Sequence, residues 1–428
     1  MSRHRWVAVM AVVIGVAAVG LYAALAGPAN EQKVAAEAPN APSTASTKWV
    51  PAVKPKPLSE NVQKGLAFLV KMQHENGGWS QGEESQQMGQ SLAALKDVPN
   101  VADTCVATLA LIRSGSTHKD GPHAAQIRKG LEFICSQVEE SDEKSLFITS
   151  IRGTRVQTKL GSYVDTFLSA MLLAEVKDQM PDAASRKPIM AALDKTMDKI
   201  EKNQRSDGTW ASDGWAPTIS QAMAAKAVNR VAQSGVVVDE SLRGKVEQYA
   251  AKQHDTAGGK FSSEGSAGVQ LYAGSSAVGA LQDSANTNAT LRTDLEHKVL
   301  NGATETERKG AKELLDRFER NDKALAEAQK TIVEKLEDPR FIQGFGSNGG
   351  EEFLSYMNIG ESLVVKGGDE WAKWDEKITA NLNRVQNADG SWTGHHCITG
   401  RTFCSAAAIL VLTTDRAPVP LAAKIKKQ

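Results

Sequence analysis

The chain has 428 residues, 41% hydrophobic and 23% charged, a globular balance that excludes wholesale disorder, a collagen-like repeat and a multi-spanning membrane protein. Lys and Arg number 50 and Asp and Glu number 50, so net charge is zero, which excludes a general nucleic-acid binder because phosphate attraction needs a basic excess. Four cysteines are too few for a disulfide scaffold at this length.

Arg3, His4 and Arg5 precede an uncharged run over residues 6–26. A helix of about 20 apolar residues spans a bilayer, and a basic flank stays on the cytoplasmic side. Ala24-Leu25-Ala26 also fits the small-x-small cleavage site of a signal peptide. The run exceeds the usual apolar region of such peptides, about 7–15 residues, so residues 1–26 are read as a transmembrane anchor, with a cleaved signal peptide and secretion as the alternative. Both readings place the body outside the cytoplasm, in the periplasm if the source is bacterial. Residues 27–57, rich in Ala, Pro, Ser, Thr and Lys, read as a disordered linker. Folded structure is expected over 58–415, with a C-terminal tail at 416–428.

Helical periodicity then recurs in pairs. A first helix near 59–73 ends in Gln73-His-Glu-Asn-Gly77-Gly-Trp79, and a second, near 102–114, opens with Asp103-Thr104-Cys105. The next pair lies near 123–138 and 163–176, the latter opened by Asp165-Thr166-Phe167. A helix near 186–204 ends in Gln204-Arg-Ser-Asp-Gly208-Thr-Trp210 and is followed by one near 217–233. The fourth pair, near 240–254 and 268–283, carries a weaker copy with Gln253, Gly258, Gly259 and Phe261 between its members. The fifth lies near 310–338 and 352–366. The sixth lies near 369–387 and 402–414, with Gln386-Asn-Ala-Asp-Gly390-Ser-Trp392 between. The stretch 291–338, charge-dense and balanced in sign, reads as a solvated helical insertion.

Three copies of Gln-x-x-(Asn/Asp)-Gly-x-Trp at equivalent places mark a tandem architecture. Glycine ends the helix in a left-handed conformation, Gln serves orphan carbonyls of the last turn, and Trp folds back as an apolar plug with one N–H to satisfy. The first helix of each pair carries more charge and suits an outer ring. The second is apolar on most faces, as buried helices are. The expectation is all-α: an α/α toroid of six helical hairpins, with inner and outer rings of helices.

Lys64-Gly65-x-x-Phe68-Leu69-x-x-x-Gln73-x-x-x-Gly77-x-Trp79 resembles the QW motif of squalene and oxidosqualene cyclases. The resemblance, extended by the repeats over 58–415, implies the α/α toroid shared by terpenoid cyclases, protein prenyltransferase β subunits and complement thioester domains. In that fold the inner helices surround a cavity, and the motif ties outer helices together without identifying a reaction.

Cyclase chemistry itself is not expected. The Asp-x-Asp-Asp motif is missing, and the inner helices offer few aromatics to stabilise a carbocation, chiefly Phe167, Trp215, Tyr272, Phe353, Tyr356 and Phe403. Prenyltransferase β subunits hold zinc through Asp-x-Cys at the start of an inner helix, and Asp103-Thr104-Cys105 matches that spacing. Asp165 stands where the next inner helix of that family carries His. Ring closure would bring Asp103, Cys105, His395 or His396, and Cys397 to one mouth, a mixed donor set that suits zinc. Against this, Asp103 and Asp165 precede Thr at helix starts, where Asp is a favoured N-cap. A disulfide from Cys105 to Cys404 or Cys397 is favoured over zinc in an oxidising compartment, so no cofactor is the primary expectation, and Cys135 reads as a core residue.

The stretch Gly394-His395-His396-Cys397-Ile398-Thr399-Gly400-Arg401 is the densest polar constellation, so His395, His396 and Arg401 are candidate ligand-binding residues. Asp103, Asp165 and Glu352 are the candidate catalytic carboxyls, with Glu351 beside Glu352. Gly344–Gly350 reads as a turn rather than a phosphate cradle, and neither a phosphate loop, a nucleophile elbow nor a thioester sequence occurs. The first functional expectation is a membrane-tethered binding or scaffold toroid holding a lipid, glycan or peptide. The second is an enzyme of prenyltransferase or cyclase ancestry, zinc-dependent through the His395-His396-Cys397 cluster. The third is a polysaccharide-degrading six-hairpin enzyme using paired carboxyls, Asp103 with Asp165 or Glu352.

Overall fold

The structure is a computed structural model that describes residues 48–85, 93–211, 213–346 and 348–421; the expected anchor at 1–26 lies outside them. Among the described residues no helix is long and apolar enough to cross a membrane. Twelve long helices alternate between two rings. They are outer α1 (Glu60–Met72), inner α2 (Val101–Arg113) and outer α3 (Ala124–Glu140), then, after the short α4 (Arg155–Leu160), inner α5 (Val164–Val176) and outer α6 (Ala183–Lys202). Inner α7 (Pro217–Gln233), outer α8 (Glu240–Lys252), inner α9 (Gln270–Asn301) and outer α10 (Glu305–Lys335) follow. Beyond the short α11 (Pro339–Gln343) come inner α12 (Gly350–Lys366), outer α13 (Gly368–Arg384) and inner α14 (Arg401–Leu412).

Residue patterning assigns the rings. Every residue of α5 is buried, so it can only be an inner helix. On α13 burial falls on Trp371, Trp374, Ile378 and Leu382, the one-sided stripe of an outer helix. Each inner helix packs on the next, and α14 packs back on α2. The fold is an all-α toroid of six helical hairpins.

The repeat supplies the joints of the outer ring. Gln73 Nε2 donates to its own Gly77 carbonyl and to Gln126 at the start of α3, both at 2.9 Å. Gln204 repeats this toward Leu242 of α8, and Gln386 toward Asn61 of α1, which closes the circle. Trp79, Trp210 and Trp392 are buried and donate Nε1 to Leu69, Ile200 and Leu382, each ten residues back. Gly77, Gly208 and Gly390 hold φ of +87°, +90° and +87°, and a Cβ on each would lie 2.3–2.6 Å from a carbonyl of the next outer helix. The weaker copy differs. Gln253 Nε2 reaches back to Tyr249, and a hairpin of β2 (His254–Asp255) with β3 (Lys260–Phe261) replaces the joint; the remaining strands are β1 (Trp49–Pro51) and β4 (Pro418–Pro420).

Two boundaries differ from expectation. Order begins before Leu58 and extends past 415, because β1 pairs antiparallel with β4 across the C-terminal ends of the inner helices. Trp49 Nε1 donates to the Gln233 carbonyl there at 3.1 Å. The charge-dense stretch 291–338 is the outer half of one elongated hairpin, the end of α9 with α10. A small core of Leu295, Ala311 and Phe318 holds its tip together.

Candidate functional site

All six inner helices run in the same direction, so their N-termini converge on one mouth of the toroid. That end carries partial positive charge and favours acidic side chains in first turns. Asp103, Asp165, Glu351 and Glu352 all occupy first turns, and all are buried. Among the described residues none of the four forms an ion pair; the nearby Glu84 does, with Arg155 at 2.7 Å.

Their partners are chiefly neutral. Asn100, not Asp103, caps α2: its Oδ1 accepts from the Asp103 N–H at 3.0 Å, and its amide donates to Asp103 Oδ2 at 2.7 Å. Asp165 caps a neighbouring helix instead of its own, accepting from Ala102 N on α2 at 2.9 Å and from Gln157 Nε2 at 2.8 Å. Glu351 Oε2 accepts from Ile398 N at 3.1 Å. Glu352 Oε1 accepts from the Tyr272 hydroxyl at 2.5 Å and from Phe345 N at 3.1 Å. One oxygen each of Asp103, Glu351 and Glu352 is buried with no hydrogen-bond partner.

Such burial favours the neutral form. It pushes Glu351 up to about 8, with the neighbouring Glu352 adding to the rise. Asp103 is pushed to about 7 by burial, against the Asn100 amide and with help from Asp165 and Glu84. Asp165 is raised by burial as well, less strongly opposed by Gln157 and the Ala102 N–H than burial favours it.

Aromatic rings stand above these acids. Trp215 and Phe345 meet edge to face at 5.0 Å, Phe345 packs on His396 at 4.7 Å, and Lys159 Nζ lies 5.4 Å from the Trp215 ring. Phe345 is 53% exposed and His395 is exposed, so the outer side of this cluster faces solvent. The turn that precedes α12 and the 394–400 loop are linked by His395 N donating to the Asn348 carbonyl at 2.6 Å. Arg401 turns away from the acids and pairs with Asp389 at 2.8 Å.

The opposite end is built differently. Arg113 pairs with Glu175 at 2.6 Å, and Lys226 bridges Asp283 at 2.7 Å and Glu361 at 2.6 Å, with Arg230 alongside. Burial would raise Glu361, but Lys226, Arg230 and Arg113 outweigh it and hold the group low, at about 2. Arg230 donates to the Pro418 carbonyl, so the β1–β4 strap seals this end.

The expected disulfides are not present: all four cysteines are free thiols. Cys105 faces Ser169 on α5 at 3.4 Å, whereas the Cys404 thiol turns to the Ile398 carbonyl at 3.3 Å, so the two point into different contacts. Nor do Asp103, Cys105, His395 and Cys397 assemble as zinc ligands; no three His, Cys, Asp or Glu side chains form a metal-holding group among the described residues. The structure thus brings Asp103, Asp165 and Glu352 to the mouth, leaves His395 and His396 on its rim and separates Arg401. The sequence reading passed over Glu84, Lys159 and Phe345 there and the whole ion network at the other end. A charge inside an otherwise apolar inner helix, as at Lys226, was the available signal.

No protein-family model matches the chain, and no curated protein matches it. Among solved structures it is similar to an inactive variant of an α-1,6-mannanase, GH76A of a Salegentibacter species, bound to α-1,6-mannotriose. The TM-score is 0.51 at 10% identity, covering 83% of this chain and 98% of that one. At that identity the likeness establishes the toroid alone. It corrects the family resemblance: the neighbour is a glycan-acting toroid, outside the terpenoid cyclases and prenyltransferases, and the cyclase-like scaffold and the prenyltransferase-type enzyme inferred from them fall with it. The physical reason lies in the repeat, whose Gln, Gly and Trp serve the joints of the wall and carry no chemistry of the mouth.

Proposed function

We propose that the protein cleaves a glycosidic bond at the acidic mouth of the toroid. One observation carries the reading: Glu351 and Glu352 are consecutive and fully buried, and among the described residues they form no ion pair and each keeps one oxygen unpartnered. Glycoside hydrolysis needs two carboxyl groups in different protonation roles. Glu351, raised to about 8, holds its proton at neutral pH and donates it to the glycosidic oxygen as the bond to the leaving sugar breaks. Glu352, oriented by Tyr272 and Phe345, serves as the partner carboxylate for the anomeric centre and the incoming water. Consecutive residues on a helix diverge by about 100°, so Glu351 meets the 394–400 loop while Glu352 meets Tyr272 and the turn before α12. Trp215 and Phe345 provide apolar ring surface of the kind on which the C–H face of a pyranose packs.

Two further points support the reading. The solved mannanase is inactive in a variant where two consecutive aspartates are replaced by asparagine, and a consecutive acidic pair recurs here in Glu351 and Glu352. An extracytoplasmic location, expected from residues 1–26, would put the mouth within reach of polysaccharides. The chemistry requires water and the two carboxyl groups, with no cofactor.

The experiment is release of reducing ends from α-1,6-linked mannan, followed by a panel of other neutral polysaccharides. Hydrolysis is expected, and Glu351→Gln and Glu352→Gln each lower kcat by about 10²–10⁴-fold. Failure to cleave any of these substrates, or undiminished turnover in both variants, overturns the proposal.

A further inference from the structure

A concavity lies in the wall, well away from the acids. A cleft of about 260 Å³ opens between α9, α10 and α12. Asn286, on its wall, is 14 residues along α9 from Tyr272, roughly 20 Å at the helical rise. The cleft exceeds the roughly 30 Å³ that one water occupies and falls below the ~300–1,000 Å³ of drug-sized pockets. It is sized for a single small ring.

The walls divide into two kinds. One side is a cluster of buried amides. Gln282 Nε2 donates to Asn286 Oδ1 at 2.8 Å, and Gln329 Nε2 donates to Gln282 Oε1 at 3.1 Å and to Ser362 Oγ at 2.8 Å. These bonds leave Asn286 Nδ2 as a donor and Gln329 Oε1 as an acceptor with no partner among the described residues, although the two side chains belong to residues only 3% and 8% exposed. Neither atom is among the fully buried unpartnered polar atoms, so both face the open cleft, where water satisfies them and a ligand's polar groups can take its place. The other side is apolar, with Ala285, Ala289, Leu325 and Val365.

Charge narrows the ligand further. Arg292 at the rim is paired with Asp322 at 2.6 Å and stands over the Phe318 ring, so the lining carries no net charge. An anion would have to compete with Asp322, and a wholly apolar molecule would strand the amides. A neutral ring with hydroxyls at its edge and C–H groups on its face fits both walls.

We infer that this cleft is a secondary carbohydrate site that takes one neutral pyranose ring, with hydroxyls on Asn286 Nδ2 and Gln329 Oε1 and a C–H face against Ala285, Ala289 and Leu325. The cleft's own lining selects the ligand, independently of any catalysis at the mouth. A ring of about 12 non-hydrogen atoms at ordinary ligand efficiency binds with a Kd on the order of 1 mM.

The test is saturation-transfer NMR and calorimetry on the full chain with methyl α-mannopyranoside, methyl β-glucopyranoside and glucuronate. Glu351→Gln in a parallel sample stops turnover without emptying the mouth of sugar, so the filling variants, which touch only the cleft, assign the binding. At least one neutral glycoside is expected to bind in both samples. Ala326→Trp, at an exposed rim position of the cleft, weakens that binding more than about tenfold while hydrolysis at the mouth is unchanged. Ala289→Leu, a smaller filling change, should weaken it in the same direction should the Trp variant fail to fold. Three outcomes overturn the inference: binding lost with Glu351→Gln alone, binding unchanged by both filling variants, or glucuronate binding as tightly as the neutral sugars. Silence of both neutral glycosides up to roughly twenty times the expected Kd overturns it too and leaves the cleft to water.

Discussion

The two ends of the inner ring bury charge in opposite ways. At the C-terminal ends Arg113, Lys226 and Arg230 meet Glu175, Asp283 and Glu361 in direct pairs beneath the β1–β4 strap. At the N-terminal mouth Asp103, Asp165, Glu351 and Glu352 meet no cation directly among the described residues, and three of them keep an unpartnered oxygen there. The mouth obeys the helix dipole, with acids in first turns, whereas the other end sets Arg113 and Arg230 in last turns but also Glu175, an acid in the last turn of α5. The difference lies in the counter-charge. A neutralised cluster resists change and suits a structural plug, whereas Glu351 and Asp103, buried without a counter-charge, favour their protonated form and await a partner from outside.

The sharpest way to break this comparison is to remove one charge from each end. Glu351→Gln is expected to cut turnover by about 10²–10⁴-fold while thermal stability holds or rises, since an amide sheds the burden of a buried acid. Lys226→Met should do the reverse. It strands Asp283 and Glu361 and destabilises the fold by about 3–5 kcal/mol, measured by denaturant unfolding. Replacing Lys226, Arg230, Asp283 and Glu361 together by apolar residues of similar volume should restore most of that loss. If Glu351→Gln unfolds the protein, or Lys226→Met leaves stability intact, the two ends do not differ as described.

Legibility followed the same division. The ring was readable because Gln, Gly and Trp recur at fixed spacing and each makes a local contact, such as Trp392 to Leu382, that the spacing dictates. Closure was readable too, since Gln386 applies the same contact to Asn61. Asp103, Asp165 and Glu352 were placed at the mouth by their positions at helix starts, but their roles were not readable. Asp165 caps α2 rather than α5, a fact that depends on how adjacent inner helices are offset. Cys105 and Cys404 sit near one another in register yet face Ser169 and Ile398, because register does not fix which way a side chain turns. The ion network needs three helices that are far apart in sequence, 226 with 283 and 361, and no local pattern announces it.

A pH series separates the ends without mutation. Glu351 rises from 4.5 to about 8 and Asp103 from 3.8 to about 7, so from roughly pH 5 to 7 the folded chain keeps protons that the unfolded chain has released. These groups therefore contribute fully below about pH 4, and that contribution is lost as pH rises toward 8, by about 1.4 kcal/mol per pH unit for each group. Glu361, held at about 2, has the opposite sign: its contribution is present above 4.5 and is lost as pH falls toward 2. The mouth should thus weaken on the alkaline side, whereas the plug carries no single sign, because burial raises Asp283 beside the same Lys226 that holds Glu361 low. Glu351→Gln is expected to remove about one proton from the slope between pH 5 and 7, and turnover should fall above about pH 8 as Glu351 loses the proton it donates. An unchanged slope in that variant would remove the protonated mouth from the comparison.

The smallest expected effect tests whether the two ends are held by one ring. Gln386 joins α13 to α1 through two carbonyls at 2.8 Å, whereas Gln253 bonds only within its own hairpin among the described residues. Gln386→Ala strands the Asn61 and Gly390 carbonyls and is expected to lower stability by about 1–2 kcal/mol. Gln253→Ala should stay within about 0.5 kcal/mol, as a partly exposed change with no partner on another helix does. Because the joint lies beside α14, and α14 separates Glu351 from Asp103, loosening it should also blunt turnover. Equal losses from both Gln variants would mean that the ring is held by its core alone and that the repeat's hydrogen bonds are incidental to the mouth.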